Sequence, residues 1–400
     1  MSAMRLLHKV PALTASAVFA VAGAGFALAT LIMARILDER SFSHAVLMIA
    51  LCNVAIAAAP AGANGVALRH GLRSEPRLVL AGMGCVAFAA LVTALLAGGI
   101  YRLDVTALLV IVATILAGGI ALLTRAAFQR AMALQKMVVL HQMANIALLA
   151  AALLMVAGIG RVHWFPSSLA ALTWAVAGVI GWTWVVRNQK PGPAAQHGHW
   201  RDGMHFGSLA LAAETMTQLE RLLLPLAMGE QALVLYAVVA ATALAPYRML
   251  ELGTMATLVA RLRNSATPAG RLRILRHELA LLLGLCLLGG VLLVMLVPWI
   301  CELVFAERRV HTSLVIAVVL SGITRVGAAL AYSTATAFCE GQALGRVNAG
   351  NWLAVLIGAL LGTLLSRYGL EGMVYGVACG WLFKGLLSAW IGVGQMRLAP

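Results

Sequence analysis

A chain of 400 residues of which 62% are hydrophobic and only 11% charged differs sharply in composition from soluble globular proteins, in which about 25% of the residues are charged. The polar segments between its apolar stretches are all far shorter than the roughly 50 residues that a separately folded catalytic domain needs. The composition therefore excludes a soluble enzyme and indicates a protein that works inside or across a membrane.

Twelve apolar stretches, each long enough to cross a bilayer, follow one another along the chain. They are continuous rather than alternating, which predicts helices and not a β-barrel. The first follows Arg5 and Lys9, but it is too long for the apolar core of a signal peptide and is predicted to be retained. The predicted spans are 11–34, 44–68, 78–100, 105–124, 137–159, 167–186, 205–228, 232–258, 279–304, 311–338, 347–366 and 371–394.

The net charge of +15 would suggest nucleic-acid binding in a soluble protein. Here most lysines and arginines fall in the cytoplasmic loops and tails once the N-terminus is placed in the cytoplasm, which agrees with the positive-inside rule. Both termini are therefore predicted to be cytoplasmic, and no nucleic-acid partner is predicted. A basic cluster after the eighth span is predicted to fix this orientation and to contact anionic lipid heads; it consists of Arg261, Arg263, Arg271, Arg273 and Arg276.

The fifth span begins among polar residues. Arg125 and Lys136 precede it, and His141 shares a helix face with Asn145. This pattern favours a cytoplasmic vestibule formed by Arg125, Lys136 and His141. Snorkelling of the long cationic side chains to the membrane interface is the alternative interpretation.

The longest polar segment follows the sixth span and contains two prolines. It divides the chain into an N-terminal six-helix lobe (1–187), a cytoplasmic linker (188–203) and a C-terminal six-helix lobe (204–400). Six spans per half give parallel repeats, for which the transport path lies between the halves. The predicted fold is all-α and polytopic, with about twelve transmembrane helices in two pseudo-symmetric six-helix lobes around a central cavity.

Ionisable side chains within the spans are concentrated in the C-terminal half. Each costs about 2.5–3.5 kcal/mol on insertion scales, so each is expected to face a cavity or a partner. In the seventh span, Glu214, Gln218 and Arg221 are spaced i, i+4 and i+7, which places them on one helix face. Glu220 points away from that face.

The eighth span contains Arg248 and Glu251 directly after Pro246. The two charges are spaced to neutralise each other, and that is the structural interpretation of the pair. The proline is predicted to kink the helix and free a backbone carbonyl.

Arg325 and Lys384 lie near the middle of the tenth and twelfth spans, and neither has an acid on its own helix. Ser321 is one turn before Arg325. Two interpretations remain open: salt bridges to the acids of the seventh and eighth spans, or a water-filled cavity with excess positive charge. The slight excess of intramembrane cations favours the cavity, and arginine can hold phosphate oxygens in a bidentate fork.

The sequence contains no GxxxxGK[ST], HExxH, CxxC or GxSxG motif. No ATP site, metal site or nucleophilic serine of these kinds is predicted, and no cofactor. Energy for transport must therefore come from an ion gradient, the membrane potential or a partner.

Four segments match one known family in order and spacing across nearly the whole chain. They are LIMARILDERSFSHAVLMIA (31–50), RAAFQRAMALQKM (125–137), LERLLLPLAMGEQALVLYAVVA (219–240) and SRYGLEGMVYGVA (366–378). They resemble, respectively, the first hairpin, the fourth-to-fifth connection, the seventh-span signature and the last-hairpin turn of Wzx-type polysaccharide (O-antigen) repeat-unit flippases. These flippases belong to the multidrug/oligosaccharidyl-lipid/polysaccharide (MATE-like) superfamily. The chain has Asp38-Glu39 where the family usually has Gly-Pro, and Glu220 where it usually has Asp.

The resemblance implies a flippase and not an enzyme. It would move an undecaprenyl-diphosphate-linked oligosaccharide across the bacterial cytoplasmic (inner) membrane by alternating access, for O-antigen, exopolysaccharide or capsule biosynthesis. Membrane lipids, a polysaccharide polymerase and a chain-length regulator would be its partners. The expected cationic lining is Arg325, Lys384, Arg221 and Arg248, and the expected coupling or orienting residues are Glu214, Glu220, Glu251 and Gln218.

Two other functions fit the same number of spans. A cation-coupled multidrug exporter of the same fold would need an excess of acids for cationic drugs and H⁺ or Na⁺, which this chain lacks. A membrane glycosyltransferase or polymerase would use an acidic external loop, for which Asp38-Glu39 is the candidate. Such enzymes generally also have a large external loop, and the predicted spans of this chain leave none. A lipid II flippase is a variant of the first function.

Overall fold

The structure, a computed structural model, describes residues 11–60, 62–63, 76–130, 134–188, 197–304 and 310–398. Within these ranges every regular element is helical. The helices are α1 (Pro11–Ile36), α2 (Glu39–Ala58), α3 (Pro76–Tyr101), α4 (Val105–Arg130), α5 (Leu134–Val156), α6 (Phe165–Asn188), α7 (His197–Ala227), α8 (Glu230–Ala243), α9 (Ala245–Arg263), α10 (Pro268–Val304), α11 (Thr312–Phe338), α12 (Gly341–Leu365) and α13 (Leu370–Leu398). A short 3₁₀ helix, Ser366–Tyr368, joins α12 to α13.

Eight of the described helices are long and apolar enough to cross a membrane, and α8 with α9, which meet at a bend of 57°, would form a ninth span. Each predicted span overlaps one helix, except that the eighth corresponds to this bent pair. The second predicted span extends beyond its helix, and residues 64–68 of that span lie outside the described ranges. The predicted all-α, polytopic fold is confirmed. The crossings by α1, α5 and α7 stay predictions, since the apolar segments described in α1 and α5, Gly23–Ile36 and Met143–Val156, are shorter and α7 is more polar.

The second helix begins five residues before its predicted start. Asp38 is its N-cap, and the carboxylate accepts a hydrogen bond from the backbone N–H of Ser41 at 3.0 Å. This bond satisfies one of the donors that the first helical turn leaves without a partner. The bond also holds the pKa of Asp38 below its usual range. An N-cap role therefore accounts for the acid at this position.

The basic segment predicted as a connection is instead the start of α10, about three turns before residue 279. Pro268 is suited to a first turn because its missing N–H would have no partner there. The Thr267 hydroxyl accepts a hydrogen bond from the backbone N–H of Gly270 at 3.1 Å and strengthens this start. The helix α7 also begins before its predicted start, at His197, so part of the predicted linker 188–203 is helical. Residues 189–196 lie outside the described ranges.

Several helices are joined by short connections. α3 and α4 are joined by residues 102–104 and α7 and α8 by residues 228–229. Gly229 and Gly369 adopt φ angles of +87° and +93°, a region that side chains with a Cβ rarely enter. Glycine at these two turns allows each chain reversal within a few residues.

The helices form two compact units. One comprises Ile32–Leu222, and we call it the 32–222 unit. The other comprises the first helix up to Leu31 together with the chain from Leu223 onward, and we call it the 223–398 unit.

In the 223–398 unit, α13 packs against both α11 and α12. A Cβ on Gly376 would clash with the backbone of α12, so glycine permits this close approach. The predicted division into two six-helix lobes at 188–203 stays a prediction.

The predicted kink at Pro246 is present as the break between α8 and α9. Tyr247 follows the break, is 2% exposed, and donates a hydrogen bond from its hydroxyl to the carbonyl oxygen of Cys286 at 3.1 Å. Its ring lies between Gly290 of α10 and Gly322 of α11, where a Cβ on either glycine would meet it. The tyrosine therefore anchors the bent helix to two neighbours.

Replacing Gly322 with alanine should destabilise the protein by about 1–3 kcal/mol, the usual cost of overpacking a filled site. The new Cβ would lie 2.6 Å from Cγ of Tyr247. The matched control is Gly327→Ala on the same helix, where no atom lies within 4 Å of the added Cβ. Thermal melting of both detergent-purified variants would measure the effect. Equal melting temperatures would show that Tyr247 can move away without cost.

Candidate functional site

Arg325 lies in the middle of α11 and is only 5% exposed. Its guanidinium carbon is 5.1 Å from the centroid of the Trp381 ring on α13. The two helices approach closely because α13 has Gly385 where it crosses α11; a Cβ there would lie 3.3 Å from Cα of Ala328. The contact between Arg325 and Trp381 thus follows from the tight packing of these two helices.

Lys384 belongs to the same cluster and is also 5% exposed. Its ammonium nitrogen is 4.7 Å from the centroid of the Trp381 ring and 5.1 Å from that of Tyr332. Cation–π contacts of this kind contribute about 2 kcal/mol when desolvated. One buried indole therefore contacts two cations, and the structure brings together the two residues that the sequence singles out most strongly.

Trp381 and Tyr332 are site residues that sequence reasoning missed. The signal for Trp381 was its position three residues before Lys384, one turn away on the same helix. No local signal pointed to Tyr332, because its contact with Lys384 is made between helices. The faces of the tryptophan and tyrosine rings attract these cations although the rings carry no charge.

A second polar cluster lies on α7, in the 32–222 unit. The Gln218 amide donates to Oε1 of Glu214 at 2.8 Å and accepts from Nη1 of Arg221 at 2.8 Å. The three side chains therefore form a continuous relay along one face, in agreement with their spacing. Gln218 is fully buried, and Glu220, which lies off this face, is buried as well.

Arg248 and Glu251 lie in the first two turns of α9, directly after the break at Pro246. Both side chains are half-buried. Their proposed roles in binding and coupling, and their mutual neutralisation, stay predictions. The predicted vestibule of Arg125, Lys136 and His141 falls on side chains outside those that the structure describes.

Three arginines of the basic cluster bind protein groups, and contact of the cluster with lipid heads stays a prediction. Arg261 forms an ion pair with the buried Glu278. Arg263 donates to the carbonyl oxygen of Ala337 at 3.0 Å, near the end of α11. The last carbonyls of a helix have no partner within it, which explains why a cation is bound there. Arg273 and Arg276 remain exposed.

Arg271 is buried in the same region. It donates from Nε to the carbonyl oxygen of Ser265 at 3.0 Å, and its guanidinium carbon is 5.1 Å from the centroid of the Phe338 ring. These contacts join the start of α10 to the end of α11.

Asp104 links two connections in the 32–222 unit. One carboxylate oxygen accepts from the backbone N–H of Ala107 at 3.0 Å at the start of α4, and the other lies 2.8 Å from Nε2 of His163. The Ala107 N–H, together with His163, holds the pKa of Asp104 below its usual range. The His44 ring contacts that of His163 edge to face, with centroids 5.4 Å apart.

Asp104→Asn should lower stability by no more than about 1 kcal/mol, because the pair is partly exposed. A carboxyl whose pKa is lowered by folding stabilises the protein above its unfolded pKa, near 3.9, and loses that effect as the pH falls through the folded value. The deficit should therefore be present at neutral pH and disappear in acid. Asparagine retains the N-cap, so melting curves from pH 3 to 8 isolate the charge. A deficit independent of pH would contradict this account.

No group of three or more His, Cys, Asp or Glu side chains within the described ranges could hold a metal ion.

A scan against protein-family models and a search of curated proteins found no match. Solved structures with a similar fold include those of membrane transporters. The lipid II flippase MurJ in an inward closed conformation has a TM-score of 0.68 and 10% identity over 94% of this chain and 87% of that chain. A multidrug resistance MATE family transporter of the MOP superfamily, outward-facing, has a TM-score of 0.64 and 12% identity over 100% of this chain and 99% of that chain.

The inward-facing conformation of a MATE family transporter of the MOP superfamily is similar as well, with a TM-score of 0.62 and 11% identity, covering 94% of this chain and 95% of that chain. Identities this low establish the fold alone. The chain therefore has the helical membrane-transporter fold found in MATE family transporters and in the lipid II flippase MurJ.

Proposed function

We propose that this chain is a flippase of the Wzx type, which moves an undecaprenyl-diphosphate-linked oligosaccharide across the bacterial cytoplasmic membrane for polysaccharide biosynthesis. The observation that supports this most is the convergence of Arg325 and Lys384 on the buried Trp381 ring, in a fold shared with a lipid II flippase. A diphosphate is the group on such a substrate that two buried cations would bind.

In the proposed mechanism, the cations bind the diphosphate while the polyprenyl tail stays in lipid. Both cations are nearly inaccessible in this conformation, so the helices around them must move before a headgroup can enter. Alternating access supplies that movement, and the bound anion neutralises charges that are costly within a membrane.

The other charged residues have supporting roles in this proposal. Arg221 and Arg248 are the further cations of the lining, and the Glu214–Gln218–Arg221 relay fixes the orientation of Arg221. Glu220 and Glu251 couple transport to an ion, and Arg125, Lys136 and His141 form the cytoplasmic vestibule that the headgroup meets first. A polysaccharide polymerase and a chain-length regulator would act on the exported repeat unit.

Expression in bacteria that lack their own repeat-unit flippase tests the proposal. Surface glycan should be restored and lipid-linked oligosaccharide should no longer accumulate in the inner leaflet, with unchanged sensitivity to cationic drugs. Increased drug resistance without surface glycan would identify an exporter instead. Glycan transfer by the purified protein, abolished by Asp38→Asn, would identify an enzyme.

A further inference from the structure

The polar atoms buried around Arg325 and Lys384 include two donors without an acceptor. Nε1 of Trp381 forms no hydrogen bond within the described part of the chain, and neither does the hydroxyl of Ser321. Ser321 lies one turn before Arg325 on α11 and is fully buried, so the two side chains share a helix face. Trp381 is the residue whose ring contacts both cations.

The unused hydroxyl of Ser321 differs from those of two threonines on the same helix, although the buried hydroxyl of Ser333 forms no hydrogen bond in the described part of the chain either. Thr324 donates to the carbonyl oxygen of Ser321 at 2.8 Å, and Thr334 donates to that of Leu330 at 3.0 Å. Such bonds to the preceding turn are the usual way for a helical hydroxyl to be satisfied. A buried donor left without an acceptor costs about 1–3 kcal/mol, and here two of them adjoin two cations.

These groups share one chemical property, which is that they can all donate. Guanidinium, ammonium and indole N–H groups donate only, and a serine hydroxyl can donate as well as accept. A ligand that binds all four of these groups must therefore offer several acceptor oxygens. A carboxylate has two oxygens, whereas a diphosphate has more and carries more negative charge.

The geometry points to a phosphate-binding site in which the indole N–H of Trp381 and the hydroxyl of Ser321 contact the anion directly, together with Arg325 and Lys384. This inference rests on the proposed function, since it assigns the substrate's diphosphate to particular donors. It adds that these four donors all lie on α11 and α13, within the 223–398 unit. Trp381 has two roles: its ring face holds the two cations, and its N–H binds the ligand.

The two roles of Trp381 can be separated by substitution. Trp381→Phe keeps an aromatic ring for the cations but removes the N–H, and Ser321→Ala removes only a hydroxyl. Each should weaken binding of inorganic pyrophosphate by about tenfold or more, as expected for a hydrogen bond to a charged group, with little change in melting temperature. Trp390→Phe is the matched control, because Trp390 is on the same helix but exposed.

The direct measurement is ¹⁹F NMR of the full-length protein labelled with 5-fluorotryptophan and placed in lipid nanodiscs. The chain has nine tryptophans, and the Trp381 and Trp390 signals are identified by their loss in the phenylalanine variants. Addition of pyrophosphate should shift the Trp381 signal saturably and leave that of Trp390 unchanged. The shift should be absent in the double variant Arg325→Ala, Lys384→Ala.

Three results would overturn the inference: no shift at Trp381, an undiminished shift in the double variant, or unweakened pyrophosphate binding by both Trp381→Phe and Ser321→Ala. These results are independent of the export assay. Pyrophosphate binding at Trp381 without restored glycan would retain the site and reject the proposed function. Restored glycan without the shift would reject the site and retain the proposed function.

Discussion

Replacing Arg325 and Lys384 together with alanine is expected to abolish surface glycan in cells that depend on this chain. Hydrogen bonds to charged groups contribute about 1.5–3 kcal/mol each, so loss of both cations should weaken headgroup binding by about a hundredfold or more. Lipid-linked oligosaccharide should accumulate in the inner leaflet. Each single variant should be intermediate, and Arg325→Lys should be impaired because lysine lacks the bidentate fork.

The controls must separate binding from folding. Gln replacements retain polarity at both positions and should fail as alanine does, since the charge is what binds the anion. Arg346→Ala and Arg397→Ala remove exposed cations from α12 and α13 and should leave export intact. All variants must first insert normally into the membrane and give a normal elution profile in gel filtration. Full export by the inserted Arg325, Lys384 double variant would show that these cations are structural.

The parts of the site that lie on one helix were predictable from the sequence. The spacing of Glu214, Gln218 and Arg221 places them on one face because the α-helical repeat is fixed, and the observed relay follows from it. The break at Pro246 was predictable for the same reason, since the effect of proline on a helix is local.

Contacts between helices were not predictable in this way. Lys384 and Tyr332 belong to different helices whose relative register depends on packing, which in this protein depends on glycines such as Gly385. Sequence reasoning therefore found the two cations but not Tyr332, because it considered only acids as partners for these cations. It also missed Glu278, because an acid near the end of an apolar stretch resembles an ordinary interfacial residue.

The Arg261–Glu278 pair joins the end of α9 to α10 and should respond unequally to loss of its two members. Glu278 is 1% exposed, whereas the Arg261 side chain is 27% exposed. Arg261→Met would leave a buried carboxylate without its cation, at a cost of about 3–5 kcal/mol. Glu278→Gln would leave an arginine that can turn towards water, so about 1 kcal/mol is expected. Thermal and urea unfolding of the purified variants would measure the difference.

The double variant Arg261→Met, Glu278→Gln distinguishes a charge effect from a packing effect. If the damage in Arg261→Met comes from a stranded carboxylate, removing that charge should restore most of the stability, so the double variant should resemble Glu278→Gln alone. Additive losses of stability, or equal losses in the two single variants, would mean that packing contacts of the Arg261 stem, rather than its charge, stabilise this end of the helices.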